Sequence, residues 1–295
     1  MADLSIIIVS FNTAPITIRC LKSLRANFNK YPLNYEVIVV DNGSTDGSPE
    51  AIEELKKSWP NLKLFLSKKN LGFGKGNNLG LKTARGKYIL YLNSDAIVND
   101  LDFKDLINLF EMRKELGAVT VKVVLSNGKI DPASHRGFPN PWSSLTYFLG
   151  LEKLFRPVPV LNNFFGRYHL VNLNLDTIHE IDVPTGAFFM APKTIIKKIG
   201  GFDPAYFAYG EDVELAYRIK EMGFKILYYP LWSVLHLKSV SGLKKKTDPK
   251  LRTKILYHFY NAMKIFYRKH YEKKYPWVLN QLIYLAIDLK RKISS

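Results

Sequence analysis

The chain has a single cysteine, Cys20, among its 295 residues. One thiol excludes an intrachain disulfide and any CxxC metal site, and it suits a reducing compartment. Cys20 lies in the amphipathic run Ile16 to Leu24, where a small apolar side chain serves core packing. Also missing is an uncharged apolar stretch of the roughly 20 residues that span a bilayer. The nearest, Pro276 to Ile287, is short and holds Asn280 and Gln281. The opening Met1-Ala2-Asp3-Leu4 has no basic segment ahead of a cleavable apolar one, so the chain reads as cytosolic. There is no internal repeat and no low-complexity segment. Acids are scarce: 26 Asp and Glu face 43 Lys and Arg, a net charge of +17. That surplus points to an anionic partner: nucleic acid, nucleotide phosphate or an anionic membrane surface. No RRM, zinc-finger or helix-turn-helix signature supports nucleic acid, and the charge gathers in the C-terminal tail.

What is present is ordinary globular composition, 47% hydrophobic and 23% charged, enough for one large domain or one domain with an appendage. Strand-like and helix-like segments alternate from the start. Strands are predicted over Ser5 to Ser10, Glu36 to Asp41, Leu62 to Leu66 and Tyr88 to Leu92. Helices are predicted over Thr13 to about Phe28, Ser48 to Ser58 and Gly74 to Ala84. This alternation predicts a mostly parallel sheet with helices on both faces. Residues 126–183 read as irregular, being rich in prolines and aromatics, and a long irregular stretch is functional or mobile. Regularity returns with a strand over Ala187 to Ala191, a helix over Asp212 to Met222 and a strand over Ile226 to Tyr229. From about Lys250 the tail is helical, basic and aromatic.

The strand Tyr88 to Leu92 ends in Asn93-Ser94-Asp95. Ligands of open α/β sheets sit at the carboxyl ends of strands, and a carboxylate there suits Mg²⁺ or Mn²⁺. The same triplet is also ordinary turn chemistry. Asp41 ends the second strand, where it either accepts from a base N–H or ribose hydroxyl or caps the turn through Asx geometry. Gly72-Phe73-Gly74-Lys75-Gly76 follows the third strand and lacks the G-x-G-x-x-G spacing, and Gly86-Lys87 precedes Tyr88, so no P-loop is present. On a helix opening near Gly210, Asp212 shares a face with Leu215, Ala216, Ile219 and Met222. Glu214 and Arg218 pair at i, i+4 on the other side. Asp212 is therefore predicted to point inward, as a buried cap or a site residue, with its neighbours Glu211 and Glu214 on a solvated face. His236 follows the last strand in an irregular turn, as a structural residue or a ligand. In the tail, Lys244-Lys245-Lys246, Arg252, Lys254 and Arg268 interleave with aromatics such as Tyr257, Phe259, Tyr260, Phe266 and Trp277. Two readings stand: a membrane interface, or a helix packing its aromatic side on the domain.

In this order the pieces resemble the family-2 glycosyltransferases of the GT-A fold. The resemblance rests on Ser5 through Asn12, Val39 through Ser48, Asn70 through Gly80, Asn93-Ser94-Asp95 and Gly200 through Asp212. Arg136-Gly137-Phe138-Pro139, Gly166-Arg167-Tyr168, Asp182-Val183, Thr185-Gly186-Ala187 and His236 with Ser239 and Ser241 look like the rhamnosyltransferase branch. It implies a GT-A catalytic domain over 1–243, with 1–100 binding nucleotide-sugar and 101–243 binding acceptor, and a basic aromatic helical appendage over 244–295. It implies a donor site formed by Ser10, Asn12, Asp41, Gly43, Asn70, Gly72, Asn78, Asn93, Ser94 and Asp95. It implies an acceptor site with Thr185, Gly186 and Tyr209, and catalysis by Asp212 as general base, beside Glu211. Asn93 departs from the family's DxD, which leaves Asp95 the only carboxylate of the triplet and calls for a second metal contact from His236. The implied activity is inverting, metal-dependent transfer, best matched by L-rhamnose from dTDP-rhamnose to a glycan or polyprenyl-diphosphate-linked acceptor in cell-envelope polysaccharide synthesis. The residues leave open a UDP- or GDP-sugar donor and, in other classes, a basic nucleic-acid-binding protein or an inactive scaffold.

Overall fold

The β-branched runs Ile6-Ile7-Ile8-Val9 and Val37-Ile38-Val39-Val40 favour extended backbone and burial on both faces. In the computed structural model, which describes residues 2–238 and 249–294, they are adjacent parallel strands. The first half runs β1 (Leu4–Ser10), α1 (Ala14–Lys30), β2 (Tyr35–Asp41), α2 (Ser48–Lys57), β3 (Leu62–Leu66), α3 (Phe73–Thr83) and β4 (Tyr88–Leu92). It continues through β5 (Ala96–Ile97), α4 (Phe103–Met112), β6 (Leu116–Leu125), α5 (Pro141–Phe148), α6 (Leu151–Phe155) and α7 (Pro159–Phe165). Then come β7 (His179–Ile181), β8 (Phe188–Pro192), α8 (Lys193–Lys198), α9 (Glu211–Glu221) and β9 (Lys225–His236). Two long helices follow, α10 (Pro249–His270) and α11 (Trp277–Ser294). Ser239, Ser241, Lys244-Lys245-Lys246 and the expected boundary at 243/244 lie outside the described residues.

The sheet order is β3-β2-β1-β4-β8-β6-β9-β5, with β7 also on β9. Strands β3, β2, β1 and β4 are parallel, as the alternation predicts. Beyond them β8 joins β4 antiparallel, so the second half is mixed. The chain winds from β1 outward to β3, then returns to place β4 on the other side of β1. That reversal opens a crevice at the carboxyl ends of β1 and β4.

Two expectations need correction. Residues 126–183 are not one irregular stretch, because α5, α6 and α7 fold within them. Pro141 and Pro159 open α5 and α7 at the first helical positions, where a missing N–H removes no helical bond. His236 is not in a turn after the last strand, because β9 runs 12 residues to His236 itself. Its register shifts between Tyr229 and Ser233, across Pro230, and pairing with β6 then resumes.

The aromatic side of α10 packs on the domain. Phe266, Tyr267 and Tyr271 are buried in the same core as Phe202, Leu215 and Ile219. Gly210, which opens α9, lets Ala262 of α10 approach closely. The tail is therefore one wall of the core, as the packing alternative has it.

Candidate active site

The crevice at the ends of β1, β2 and β4 is a cleft of about 230 Å³. Asn42, Asn70, Gly72, Asn93, Ser94 and Asp95 line it, with Phe207 and Ala208 as its far lip. Asp41 caps the turn with one oxygen and keeps the other spare. Its Oδ1 caps the turn, accepting from the Gly43 and Ser44 amides at 3.2 and 2.9 Å. Its Oδ2 is buried without a partner, an acceptor left for a base N–H or ribose hydroxyl. Asn42, absent from the expected site, braces the cleft by accepting from the Leu71 amide at 2.9 Å and donating to Asn70 at 3.1 Å.

Other expected donor residues serve the scaffold. The Ser10 hydroxyl is buried against Thr13 and Thr17 at 3.2 and 2.9 Å. Asn12 ties the β1 and β2 loops together through Ser44 and Thr45 at 2.9 and 2.8 Å. Gly43, at φ +84°, lies against the Lys69 backbone. Asn78 clamps Phe202, donating to its carbonyl at 2.7 Å and accepting from its amide at 2.9 Å.

The Asp95 carboxylate and the His236 Nε2 lie 3.1 Å apart. Behind His236, its Nδ1 meets Asp131 at 2.8 Å, and Lys238 reaches the other Asp131 oxygen at 2.8 Å. Burial opposes a charged His236, but the hydrogen bonds to Asp131 and Asp95 outweigh it and push the imidazole up to about 9. Burial likewise opposes the Asp131 charge, yet His236, Lys238 and the Ala133 amide hold that carboxyl well below the usual range. A hard oxygen and an imidazole nitrogen converging on one point, with a carboxylate orienting the imidazole from behind, fit a divalent ion that displaces the Nε2 proton. Among the described residues no third His, Cys, Asp or Glu joins them. Two protein ligands are the usual provision where a diphosphate and water complete the shell.

The third group sits at the start of α9. Tyr209 and Gly210 both hold positive φ, 68° and 76°, which turns the chain sharply into the helix. This corrects the helix-face expectation: Glu211 and Glu214 are the buried acids, while Asp212 is half-buried and reaches the side facing Arg136. The Glu214–Arg218 pair forms as expected, but internally, because α10 covers that face. Burial and the neighbouring Asp212 charge push Glu211 up to about 8, against the pull of Arg136, and its Oε2 has no partner. Asp212 Oδ2 accepts from the Arg136 guanidinium at 2.7 Å, which also donates to the Pro184 carbonyl at 3.0 Å. Burial disfavours the Arg136 charge, but Asp212 and Tyr168 more than restore it.

Between the two acidic centres runs Pro184-Thr185-Gly186. Its first carbonyl meets Arg136, and a side chain at Gly186 would press on Phe73 and approach the Asn93 side-chain Oδ1. Asn93 in turn lies 3.3 Å from His236 Nε2. Asp95 and Asp212 are thus linked through Pro184-Thr185-Gly186 and Asn93, with Asp95 lining the cleft and Asp212 outside its lining. The segment from Asp131 to Arg136 supports both, orienting His236 at one end and Asp212 at the other. Sequence reading missed Asp131 altogether. Arg136 was visible only inside the Arg136-Gly137-Phe138-Pro139 motif. Tyr209 packs edge-on to Phe259 of α10 at 5.8 Å, and Thr185 accepts from the Ala187 amide at 3.3 Å.

Residues 5–169 match the family described as Glycosyl transferase family 2. The chain is 27% identical to the O-antigen biosynthesis protein RfbC of Myxococcus xanthus over 80% of its own length, but it spans only 17% of that protein. It is 26% identical to the N-acetylglucosaminyl-diphospho-decaprenol L-rhamnosyltransferase of Mycobacterium tuberculosis, covering 81% of this chain and 77% of that one. Its fold is similar to the mannosyltransferase PcManGT of Pyrobaculum calidifontis, solved with GDP-Man and Mn²⁺ (TM-score 0.56, 18% identity, 90% of this chain and 64% of that one). The architecture is the GT-A fold.

Proposed function

The chain belongs to glycosyl transferase family 2, and on that premise we propose that it moves a sugar from a nucleotide diphosphate to an acceptor hydroxyl with inversion at the anomeric carbon. The observation that supports this reading is the run of contacts from the Arg136–Asp212 pair through Pro184-Thr185-Gly186 and Asn93 to the Asp95–His236 pair. Asp41 Oδ2, Asn42 and Asn70 take the nucleoside. Mg²⁺ or Mn²⁺ held by Asp95 and His236 would neutralise the diphosphate as it leaves. Asp212 takes the proton of the acceptor hydroxyl. As that O–H bond breaks, the acceptor oxygen bonds to the anomeric carbon from the face opposite the phosphate. The carbon–phosphate oxygen bond breaks, and its electron pair departs with the nucleoside diphosphate. Thr185, Gly186 and Tyr209 flank the space the acceptor occupies. Arg136 holds Asp212 in place, and burial favours the neutral form of its neighbour Glu211.

For the substrates we assign L-rhamnose from dTDP-rhamnose and a polyprenyl-diphosphate-linked glycan, in cell-envelope polysaccharide synthesis. The name of the mycobacterial relative supports the rhamnosyl group and the polyprenyl-diphosphate-linked acceptor. A GDP-sugar donor is the second reading, favoured by the likeness to a mannosyltransferase bound to GDP-Man. Among the described residues no helix is long and apolar enough to cross a membrane, and a lipid-linked acceptor places the work at a membrane's cytoplasmic face.

The test is nucleoside diphosphate release from dTDP-rhamnose, UDP-sugars and GDP-sugars with a lipid-diphosphate N-acetylglucosamine acceptor. Asp212→Asn is expected to lower turnover about 10²–10⁴-fold with donor affinity retained. Near-normal turnover discards Asp212 as the base.

A further inference from the structure

Two parts of the surface combine exposed aliphatic side chains with positive charge. The first is α11. Its inner face packs Asn280, Ile283, Tyr284 and Ile287 towards α10, while Val278, Leu282, Leu285, Leu289 and Ile293 form one outward stripe at helical spacing. Leu282 is 56% and Ile293 79% exposed, beyond what scattered surface leucines account for. The stripe begins at Trp277, 72% exposed, and ends among Lys290, Arg291 and Lys292. The one acid of α11, Asp288, pairs with Lys264 at 2.7 Å, and Glu272 just before the helix accepts from Tyr284 at 3.0 Å.

The second part is the excursion α5–α7, which exposes Trp142, Leu145, Leu149, Leu154, Val160 and Phe164. Its only acid, Glu152, is buried against His169 at 2.6 Å, so Lys153, Arg156 and Arg167 are the only charges it shows. The two surfaces meet where Lys290 of α11 lies 5.6 Å from the Phe148 ring.

We propose that α5–α7 and α11 form a continuous docking face for an anionic lipid surface, with their leucines and valines seated among the acyl chains and their cations at the headgroups. An interfacial helix needs this combination: an apolar stripe, a basic flank and no unpaired acid. A second copy of this chain would bring like charge to like charge on a molecule of net charge +17. A nucleic acid could stack on Trp142, Phe164 or Trp277 but would leave the aliphatic stripe of α11 in water. The tail's contribution is thus the outer face of α11 rather than the aromatic side of α10, which the core occupies.

The placement deepens the transferase reading, on which this step rests. The excursion is rooted beside the base: Arg136 pairs with Asp212, and the Gly137 amide donates to the Tyr168 carbonyl at 2.8 Å, closing the loop. Docking through α5–α7 brings the acceptor side of the cleft to the membrane, where a lipid-linked hydroxyl is presented.

Flotation of the full chain with phosphatidylglycerol/phosphatidylcholine vesicles and with pure phosphatidylcholine vesicles tests the proposal. The chain is expected to float with the anionic vesicles, less so at high salt, and to stay in the bottom fraction with the neutral ones. Leu282→Gln with Leu285→Gln, and separately Leu154→Gln with Val160→Gln, are each expected to lower partitioning about tenfold. Both variants should keep the wild-type melting temperature and turnover on a water-soluble acceptor. A wild-type chain that never floats, or variants that float as well as it does, overturns the docking face. So does a dimer in sedimentation velocity that these variants dissociate. A chain that floats as expected but turns over no nucleotide-sugar upholds the docking face and removes the transferase reading.

Discussion

Asp212 Oδ2 receives the Arg136 guanidinium at 2.7 Å while Oδ1 receives the Val213 amide at 2.8 Å, so both carboxylate oxygens are fixed before any acceptor arrives. A buried ion pair is weak support for stability, since desolvation offsets its attraction, but it fixes geometry well. One guanidinium nitrogen, Nη2, donates to both Asp212 and the Pro184 carbonyl while the same rigid plane also bonds Tyr168, a spread of donors a lysine point charge cannot reproduce. Arg136→Lys is therefore expected to lower kcat about tenfold or more with the donor KM little changed. A purely structural role would instead lower melting temperature and leave the kcat of the folded fraction intact. Glu211 supplies a pH signature. Its carboxyl ordinarily titrates near 4.5 and in the fold is pushed up to about 8 by burial and the Asp212 charge. Between those values the native state holds a proton that the unfolded chain has released, so this group's stabilising effect is full below 4.5 and is lost as pH rises to 8. Glu211→Gln stays neutral throughout. Its melting temperature relative to wild type is expected to climb with pH across that window, and parallel curves would show that Glu211 ionises freely.

Gly72 sits at the N-terminus of α3 with φ +85°, and its missing side chain is what lets the Phe207 carbonyl come close enough to accept from the Phe73 amide at 2.9 Å. The loop after β3 and the loop before α9 are thereby held together as two lips of the donor cleft. Gly72→Ala adds a methyl directed at that carbonyl in a backbone region unfavourable to alanine, at a cost of about 1–3 kcal/mol. Calorimetry should show a lower melting temperature and a donor titration weaker binding; an unchanged titration would mean the lips move independently. At this scale the first half of the chain is legible because each element has one clear period and one clear stop. The second half is not, because prolines that read as loop signals sit at helix starts, and because β9 crosses Pro230 by shifting register.

The whole molecule joins a cleft at the carboxyl ends of β1, β2 and β4 to a surface of cations and exposed apolar side chains. If the cleft holds a nucleotide diphosphate and an ion together, ligand binding to the folded state alone raises its stability, by about 2.7 kcal/mol at 100 times Kd. Thermal melting with dTDP-rhamnose is expected to rise in the presence of Mn²⁺ and to rise less with chelator. RNA, drawn only by net charge, should give a small shift that salt removes. A large RNA shift with none from any nucleotide-sugar would return the chain to the nucleic-acid class.

Asp41, Asp95 and the Glu211-Asp212 pair stand out in the sequence by itself, because each ends or begins an element whose hydrophobic period is unmistakable. The parallel half of the sheet follows from the same periodicity. What those acids touch was decided only by tertiary structure, because the deciding partners lie far along the chain. Arg136 reaches Asp212 across 76 residues, and Asp131 reaches His236 across 105. Which acid of α9 is buried was likewise decided by α10, since periodicity reports a helix's apolar stripe but not whether a second helix covers the other side.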